Sequence, residues 1–334
     1  MRDPFTRPDD LADLAALSAR IGADPLLIQA AGGNTSVKAG DVMWIKASGT
    51  LLADARAKDI FVPVDLPAMR AAFSDPNVDA DQPAQFTLGG AVLRPSIETS
   101  LHAVMPQRVV VHVHCVETIA HAVRADAEAL LSQKLAPFNW CFVPYAKPGA
   151  ELAQMVHDRL QAGTDVVVLR NHGLIVAAES VAGAADLQAR VTAALRLEPG
   201  APYAADRAGL EALLIPGWEI PEDAGALQEL SHPARAAQAA KGSLYPDHVL
   251  FCGIAVTLVE TLPDPAEAPP IVVVPGKGVA MREDAPASGR ALARCLGDVL
   301  ARVPVDAALT YLSYEQNAEL LDWDAEKYRK ALNA

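Results

Sequence analysis

The stretch RVVVHVHCVE, residues 108–117, constrains the fold most, because it places two histidines inside a run of valines. A short apolar run rich in β-branched residues predicts a buried strand. Side chains two positions apart on a strand project from the same face, so His112 and His114 are expected to lie close together. Such a pair is typical of two ligands to one metal ion. The alternative is that two buried histidines satisfy backbone carbonyls.

Two further residues extend this candidate site. His172, in RNHGLIV, follows another apolar strand and precedes a glycine that permits a tight bend. Glu98 lies in the first turn of a predicted helix that Ser96 can cap. Three imidazoles and a carboxylate, without zinc-finger spacing, predict a catalytic site for zinc or another divalent ion with an open coordination position. His102, one turn after Glu98, is expected to pack or to support the site.

A hairpin is predicted upstream, because TSVKAGDVMWIKAS alternates on both sides of AGD. The hairpin should run from about residue 35 to residue 48. With pairing symmetric about Gly40, Asn34 would lie opposite Lys46. One end of the hairpin would then gather four residues: Asn34, Lys46, Ser48 and Gly49.

The charge of the chain limits its partners. Lys plus Arg number 28 against 41 Asp plus Glu, which gives a net charge of −13. A nucleic-acid surface needs clustered positive charge, so a small-molecule partner is favoured and no nucleic acid is expected. No stretch approaches the ~20 apolar residues of a membrane span, and the N-terminus lacks the apolar core of a signal peptide. The expectation is a cytoplasmic protein with no membrane partner.

Strands and helices are mixed without a regular βαβ repeat, which favours a layered α/β fold with a mixed sheet. We expect a first domain at 1–200, a Pro-rich linker at 201–225 and a C-terminal α/β extension at 226–334. Within the extension, HVLFCGIAVTLVE and PIVVVPGKGVAM predict strands. The PGKG segment lacks the further glycine and the Ser or Thr of a P-loop, so it predicts a hairpin turn.

Taken together, the motifs resemble a known family. AGGNTSVKAGDVMWIKASGT, PSIETSLHAV, VVHVH, VPYAKPG and RNHGLIV occur in the order and approximate spacing of the class II aldolase/adducin family, which includes fuculose- and rhamnulose-1-phosphate aldolases. The resemblance covers about residues 11–197. The later YPDH, PGKG and DWDAEKYRKAL segments are similar to the tail of aldolase domains fused to a short-chain dehydrogenase. The resemblance implies an α/β/α fold with a mixed, largely antiparallel central sheet, and a homo-oligomer, typically a tetramer.

The resemblance also implies roles for individual residues. His112, His114 and His172 would bind a divalent metal, usually zinc, and Glu98 would be the acid/base carboxylate that also ligates the resting metal. The positions that match the substrate-phosphate site are Asn34, Ser48, Gly49 and Ser96. Ile97 stands where the family often has a second serine, so Lys46 is a candidate compensating charge. Tyr145 matches a tyrosine of the PYA segment and is a candidate catalytic residue.

The function that the resemblance implies is a metal-dependent lyase. It would cleave a ketose phosphate or a related hydroxy-keto substrate by retro-aldol reaction through a metal-stabilised enediolate. Its small-molecule partner would be a sugar phosphate or a keto acid. A sugar-phosphate epimerase or a decarboxylase of the same fold is the alternative. Related epimerases tend to carry Asp at the position of Glu98, which favours the aldolase. A non-catalytic, adducin-like interaction module is disfavoured, because such domains lack the full metal set.

Overall fold

The computed structural model describes residues 6–75, 77–222 and 227–323. The chain divides into two compact units. The first consists of Met1–Thr118 and Leu131–Leu195, and the second consists of Ile119–Leu130 and Arg196–Ala334. The predicted domain boundaries stay a prediction, although the described part of the predicted linker contains a short helix and a short strand.

The first unit is built on seven strands. Its strands are β1 (Asn34–Ala39), β2 (Val42–Lys46), β3 (Phe61–Asp65), β4 (Val109–Val113), β5 (Trp140–Val143), β6 (Val166–Leu169) and β7 (Gly173–Ala178). Its helices are α1 (Leu11–Gly22), α2 (Leu66–Ala71), α3 (Thr99–Val104), α6 (Ala150–Arg159) and α7 (Val181–Leu195), with 3-10 turns at Leu52–Asp54, Ala72–Ser74 and Pro83–Phe86. Helices α4 (Val116–Ala122) and α5 (Ala127–Lys134) cross the boundary between the units.

The sheet of the first unit has the strand order β3-β2-β1-β4-β7-β6-β5. All neighbouring strands are antiparallel except β5 and β6, which confirms the mixed, largely antiparallel sheet. These directions place the carboxyl ends of β2, β4, β5 and β6 at the same edge as the amino ends of β1 and β7. The candidate residues that begin or follow those strands therefore lie along one edge of the sheet: Asn34, Lys46, His114, Tyr145 and His172.

Helices cover both faces of this sheet. Leu101 of α3 and Leu152 of α6 pack with Val110, Val167 and Ile175 in one apolar core. On the other face, α1 meets β1, where the Ser18 and Thr35 hydroxyls lie 2.7 Å apart, and α7 contacts β4 and β7. This arrangement confirms the predicted α/β/α layers. The face covered by α3 carries His112, because Val110 and His112 are two positions apart on β4.

The predicted hairpin is present, but its register is displaced by one residue. Ala39 pairs with Val42 across a two-residue turn at Gly40 and Asp41, and Ser36 pairs with Ile45. Pairing symmetric about Gly40 was therefore wrong. Because a slip of one residue moves a side chain to the other face, Lys46 projects from the face opposite to Asn34 and Ser36.

Gly33 is expected to be the more sensitive of two left-handed glycines that flank β1. A Cβ atom at Gly33, at φ +64°, would lie 2.3 Å from Ile28 Cδ1 and 2.8 Å from the His112 carbonyl oxygen, whereas one at Gly40, at φ +60°, would meet nothing within 4 Å. Gly40→Ala should lower the free energy of unfolding by about 1–2 kcal/mol through its backbone alone. Gly33→Ala should lower it by a further ~1–3 kcal/mol through overlap. Urea unfolding measures both, and equal losses would contradict the close packing at Gly33.

The second unit contains a smaller sheet with the strand order β8-β11-β10-β9. Its strands are β8 (Trp218–Glu219), β9 (Thr257–Leu258), β10 (Ile271–Val274) and β11 (Gly278–Arg282), and its helices are α8 (Arg207–Glu211), α9 (Pro233–Ala239), α10 (Pro246–Cys252), α11 (Ala287–Arg302) and α12 (Tyr314–Asp322). Short 3-10 turns lie at Gln228–Ser231 and Pro265–Glu267. This unit confirms the smaller α/β extension. Most of the DWDAEKYRKAL segment, residues 324–332, lies outside the described residues.

Two local predictions in the second unit have different outcomes. The PGKG segment is a hairpin turn as predicted, because Val274 pairs with Gly278. The strand predicted at the start of HVLFCGIAVTLVE was wrong, since α10 occupies that stretch. Pro246 at the first turn favours a helix start, and Gly253, at φ +90°, ends it. None of the helices in the described ranges combines the length and apolar character that a membrane crossing requires.

Candidate metal centre

Four predicted ligands converge in one buried cluster of the first unit. One potential ligand atom each from Glu98, His112, His114 and His172 lies within 4.8 Å of all the others. The centroids of the three imidazole rings are 5.0, 5.0 and 5.1 Å apart, which is close to an equilateral triangle. The histidine nitrogens therefore face a common point, with the carboxylate beside them.

Strand β4 and its neighbour β7 orient the first imidazole. The Nδ1 atom of His112 lies 3.1 Å from the Leu174 carbonyl oxygen, an acceptor that favours the proton on Nδ1 and leaves Nε2 for the site. Gly173 allows the close approach, because a Cβ atom there would lie 3.2 Å from the His112 ring and 2.5 Å from the Val113 carbonyl oxygen. His112 Nε2 then lies 3.2 Å from His114 Nε2, which continues the same face of the strand.

A tight turn brings the third imidazole to the same point. Leu169 pairs with Gly173, so the β6–β7 connection contains only three residues, and Asn171 adopts φ +54°. Asn tolerates this left-handed conformation better than most residues. The His172 amide donates to the Leu169 carbonyl oxygen at 3.2 Å, which closes the turn and directs the imidazole to the cluster.

Glu98 occupies the N-cap position of α3. The sequence had predicted it within the first helical turn, so the helix begins slightly later than predicted. The Ser96 hydroxyl accepts from the Glu98 amide at 3.2 Å, and the Asn34 side-chain amide donates to Glu98 Oε2 at 2.7 Å. Burial alone would raise the pKa of Glu98, but the electrostatic interaction of its carboxylate with the neighbouring imidazoles of His112, His172 and His114 lowers the pKa to about 2. The carboxyl group is therefore ionised at neutral pH.

The donor set fits a divalent cation. Ligand bonds of 2.0–2.1 Å in a tetrahedral site require neighbouring donor atoms about 3.4 Å apart. The corresponding distances are 3.2 Å between the Nε2 atoms of His112 and His114, 3.6 Å from His112 Nε2 to Glu98 Oε2, and 3.4 Å from His172 Nε2 to Glu98 Oε1. The buried atom Glu98 Oε1 has no hydrogen-bond donor in the described structure, as expected for a ligand oxygen.

The residues predicted to bind the substrate phosphate lie near the cluster in the fold. Asn34 pairs with His112 on the neighbouring strand and contacts Glu98 directly. The Ser48 amide donates to the Arg94 carbonyl oxygen at 2.9 Å, which brings the Ser48–Gly49 segment beside the stretch that leads to Ser96. Gly49 adopts φ +75°. Binding of a substrate by these residues stays a prediction.

Lys46 occupies a different position from the other predicted anion ligands. Only 2% of its surface is exposed, and its ammonium group donates to the carbonyl oxygens of Ala31 at 2.8 Å and Gly33 at 3.1 Å. Its contact with a substrate stays a prediction.

Two other predicted residues lie outside the four-residue cluster. Tyr145 follows β5, and its hydroxyl is buried. The end of β5 lies beside the turn that carries His172, because the Val143 carbonyl oxygen accepts from the Arg170 amide at 2.9 Å. A catalytic role for Tyr145 stays a prediction. His102 is buried one turn below Glu98, with its Nδ1 atom 2.8 Å from the Ser36 hydroxyl. Burial, together with the charge of His112, lowers the pKa of His102 to about 3.

The sequence reasoning missed the supporting contacts of the cluster. Asn34 was assigned to the phosphate, yet its amide reaches Glu98. Gln29 donates to the His114 carbonyl oxygen at 3.4 Å and to that of Pro25 at 2.7 Å. Asn34 and Ser36 share one face of β1 because they are two positions apart, but only the packing of α3 against that face brings Asn34 to Glu98. No local signal indicates the role of Gln29.

Comparison with known families decides the assignment of this fold. Residues 12–198 match the sequence profile of the Class II Aldolase and Adducin N-terminal domain. The chain belongs to this family. The match spans the whole metal cluster, so the resemblance inferred from the motifs is confirmed. Membership in this family supports the interpretation of the chain as an enzyme, and the buried cluster of Glu98 and three histidines is compatible with a divalent metal.

Two solved structures illustrate the range of similarity. The N-terminal class II aldolase domain of a conserved protein from Thermoplasma acidophilum is 28% identical, with a TM-score of 0.50, and the similarity covers 58% of this chain and 96% of that domain. An L-fuculose 1-phosphate aldolase is 18% identical over 58% of this chain and 86% of its own, with a TM-score of 0.42. That similarity is weak, and the family assignment does not depend on it.

A longer relative carries a different name. The Bacillus subtilis (strain 168) protein called uncharacterized oxidoreductase YuxG is 28% identical over 188 residues, which is 52% of this chain but 27% of that protein. The chain thus spans about a quarter of the curated relative that it matches. A class II aldolase-like segment within a longer oxidoreductase agrees with the resemblance to aldolase domains fused to a dehydrogenase.

Proposed function

We propose that this chain is a metal-dependent lyase that cleaves a ketose phosphate, or a related hydroxy-keto compound, by a retro-aldol reaction. One observation carries the proposal: the ionised Glu98 carboxylate lies within the same buried cluster as His112, His114 and His172. A metal site and a proton carrier are therefore available to the same substrate atoms.

The three histidines would hold the cation, with Glu98 as the fourth ligand. When bound, a divalent cation polarises the hydroxyl and carbonyl oxygens of a substrate and offsets negative charge that develops on them. Zinc is the proposed ion, because imidazole nitrogens and one carboxylate oxygen suit it. The chain's contribution is to orient the imidazoles, through contacts such as that of His112 with the Leu174 carbonyl oxygen.

Glu98 would move the proton on which cleavage depends. In the cleavage direction, the substrate hydroxyl loses a proton and the adjacent carbon–carbon bond breaks, which releases an aldehyde. The remaining fragment takes up a proton on the carbon that lost the aldehyde, so the number of protons is conserved. The Glu98 carboxylate would first accept the proton that the hydroxyl releases, passed on through Tyr145, and would then deliver it as the protonated acid to that carbon. Glu98 begins as a carboxylate, and Asn34 fixes one of its oxygens.

The anionic group of the substrate would bind at the neighbouring edge of the sheet. Asn34, Ser48, Gly49 and Ser96 are proposed to hold a phosphate or a carboxylate there, and Tyr145 is proposed as a second proton carrier at the aldehyde oxygen. The contacts that support this arrangement are those of Asn34 and Ser96 with Glu98, and the backbone pairing beside Ser48.

A substrate screen tests the proposed reaction. Zinc-loaded protein is incubated with phosphorylated and carboxylated keto-sugars, and products are followed by an aldehyde assay, by NMR and by carbon dioxide release. The proposal predicts an aldehyde from at least one compound, and none from the His112→Ala/His114→Ala variant. A new stereoisomer without aldehyde would indicate an epimerase, and carbon dioxide would indicate a decarboxylase. Either outcome contradicts the lyase, as does the absence of turnover.

The protein is further proposed to be a homo-oligomer, with a tetramer as the expected state. The family resemblance supports this proposal, and exposed apolar side chains of the first unit are candidates for the interface. Val92 is 97% exposed, and Leu51 and Leu93 are more than a third exposed. Light scattering coupled to gel filtration should give a mass near four times the 35.2 kDa of one chain. A monomeric mass for the fully active protein would contradict it.

A further inference from the structure

Lys46 interacts with the backbone of the loop that precedes β1. Its ammonium group donates to the carbonyl oxygens of Ala31 and Gly33, on the sheet face opposite to Asn34. A buried ammonium group requires acceptors, and buried carbonyl groups require donors. Lys46 and the loop therefore satisfy each other's hydrogen-bonding groups within the protein. The lysine side chain projects from the sheet face opposite to the one that meets Glu98.

The loop has a conformation that its surroundings must maintain. Ala30 adopts φ +48° and Gly33 adopts φ +64°, so two left-handed residues occur within four positions. Left-handed backbone is uncommon for a residue other than glycine, and it persists where surrounding contacts hold it. The described contacts at this loop include the Gly32 amide, which donates to the Gln29 carbonyl oxygen at 3.0 Å, and the two bonds from Lys46.

The loop leads directly into the residue that contacts Glu98. Asn34 follows Gly33, pairs with His112 and donates to Glu98 Oε2 at 2.7 Å. A displacement of the Gly33 carbonyl would thus move Asn34 relative to the carboxylate. Lys46 is thus connected to Glu98 by its hydrogen bond to the Gly33 carbonyl oxygen, the peptide unit between Gly33 and Asn34, and the hydrogen bond from the Asn34 side chain to Glu98.

We propose that Lys46 is a positioning residue, which holds the loop at residues 30–33 and through it keeps Asn34 against Glu98, rather than a ligand of the substrate's anionic group. The proposal rests on the metal centre of the proposed function, but it does not depend on which reaction the centre performs. Groups that orient a metal ligand typically change metal affinity by ~10- to 100-fold when they are removed.

Lys38 provides a matched control. It is also a buried lysine of the same hairpin, and its ammonium group donates to the carbonyl oxygens of Met105 and of Gln107, the latter at 2.8 Å. Lys38 lies near the turn end of β1, whereas Asn34 begins the strand at the opposite end. Lys38→Met should therefore disturb a similar buried contact without affecting Asn34.

The experiment measures zinc affinity of the full-length protein by competition with a chromophoric chelator. Lys46→Met and Asn34→Ala should each lower the affinity by about tenfold, and the double variant should lower it little further, because both act through Glu98. The absorption spectrum of bound Co²⁺ should change in the same variants. Lys38→Met should change neither readout. If Lys46→Met does not fold, Lys46→Gln, which keeps a neutral N–H donor group, is expected to show a smaller loss of affinity with the same non-additivity.

Binding of inorganic phosphate, measured by calorimetry on the zinc-loaded protein, separates positioning from anion binding. Lys46→Met should retain the phosphate affinity of the unmodified protein. Unchanged zinc affinity in the folded Lys46 variant, fully additive effects with Asn34→Ala, or loss of phosphate binding alone would each overturn the proposal. A failure of the lyase screen would leave these zinc measurements unaffected, so the two proposals can fail separately.

Discussion

Replacing His112 and His114 together with alanine is expected to abolish metal retention. The two Nε2 atoms lie 3.2 Å apart at the centre of the cluster, so their removal leaves only His172 and Glu98 as ligands from the set. Two protein ligands fall short of the three that catalytic zinc sites keep. Elemental analysis after gel filtration should give about one divalent ion per chain for the unmodified protein and none for the double variant.

The control for this experiment is His157→Ala, which removes an exposed imidazole from α6. It should retain the full metal content. Far- and near-ultraviolet circular dichroism spectra of the double variant should remain those of folded protein, since one alanine lies in β4 and the other directly follows it. Metal content in the double variant equal to that of the control would refute the assignment of the site.

Glu98→Gln is expected to lower turnover by ~10²- to 10⁴-fold, the usual contribution of a positioned acid/base group. Glutamine has nearly the same shape but cannot carry a proton between substrate atoms. Folding and metal content should persist, because the three imidazoles remain. The measurement is turnover of the compound that the screen identifies, beside elemental analysis of the same sample.

Near-normal turnover of Glu98→Gln would mean that Glu98 acts only as a ligand or as the N-cap residue of α3. The proton would then have to be carried by another group, and Tyr145→Phe would be the next variant to measure. Loss of turnover together with loss of metal would show a ligand role without resolving the proton transfer, so the metal assay is essential to the comparison.

The strand pattern around His112 was enough to predict part of this site. A continuous run of valines predicted a buried strand, and a periodicity of two placed both histidines on one face, where the structure has them. The position of His172 relative to them depends on β7 pairing with β4. Pairing between strands that are distant in the chain leaves no local signal, so the sequence indicated His172 only by its place after an apolar strand, and the resemblance to a family supported it.

Other features depended on details that alternation does not specify. The turn at Gly40 and Asp41 contains two residues, whereas pairing symmetric about Gly40 requires an odd number, and this difference places Lys46 on the opposite face from Asn34. Along HVLFC, the apolar residues are compatible with either a strand or a buried helix, and the preceding Pro246 decided for the helix. The contact between Asn34 and Glu98 required both the register of β1 and the placement of α3.

The central claim is that cleavage depends on the buried cluster of Glu98 and three histidines. Its most direct test is the rate of aldehyde release from the substrate by protein stripped of metal with a chelator, and then by the same sample after stoichiometric zinc is restored. The proposed function predicts that release stops on stripping, returns with zinc, and does not return in the His112→Ala/His114→Ala variant. Aldehyde release at an unchanged rate from the stripped protein would contradict it.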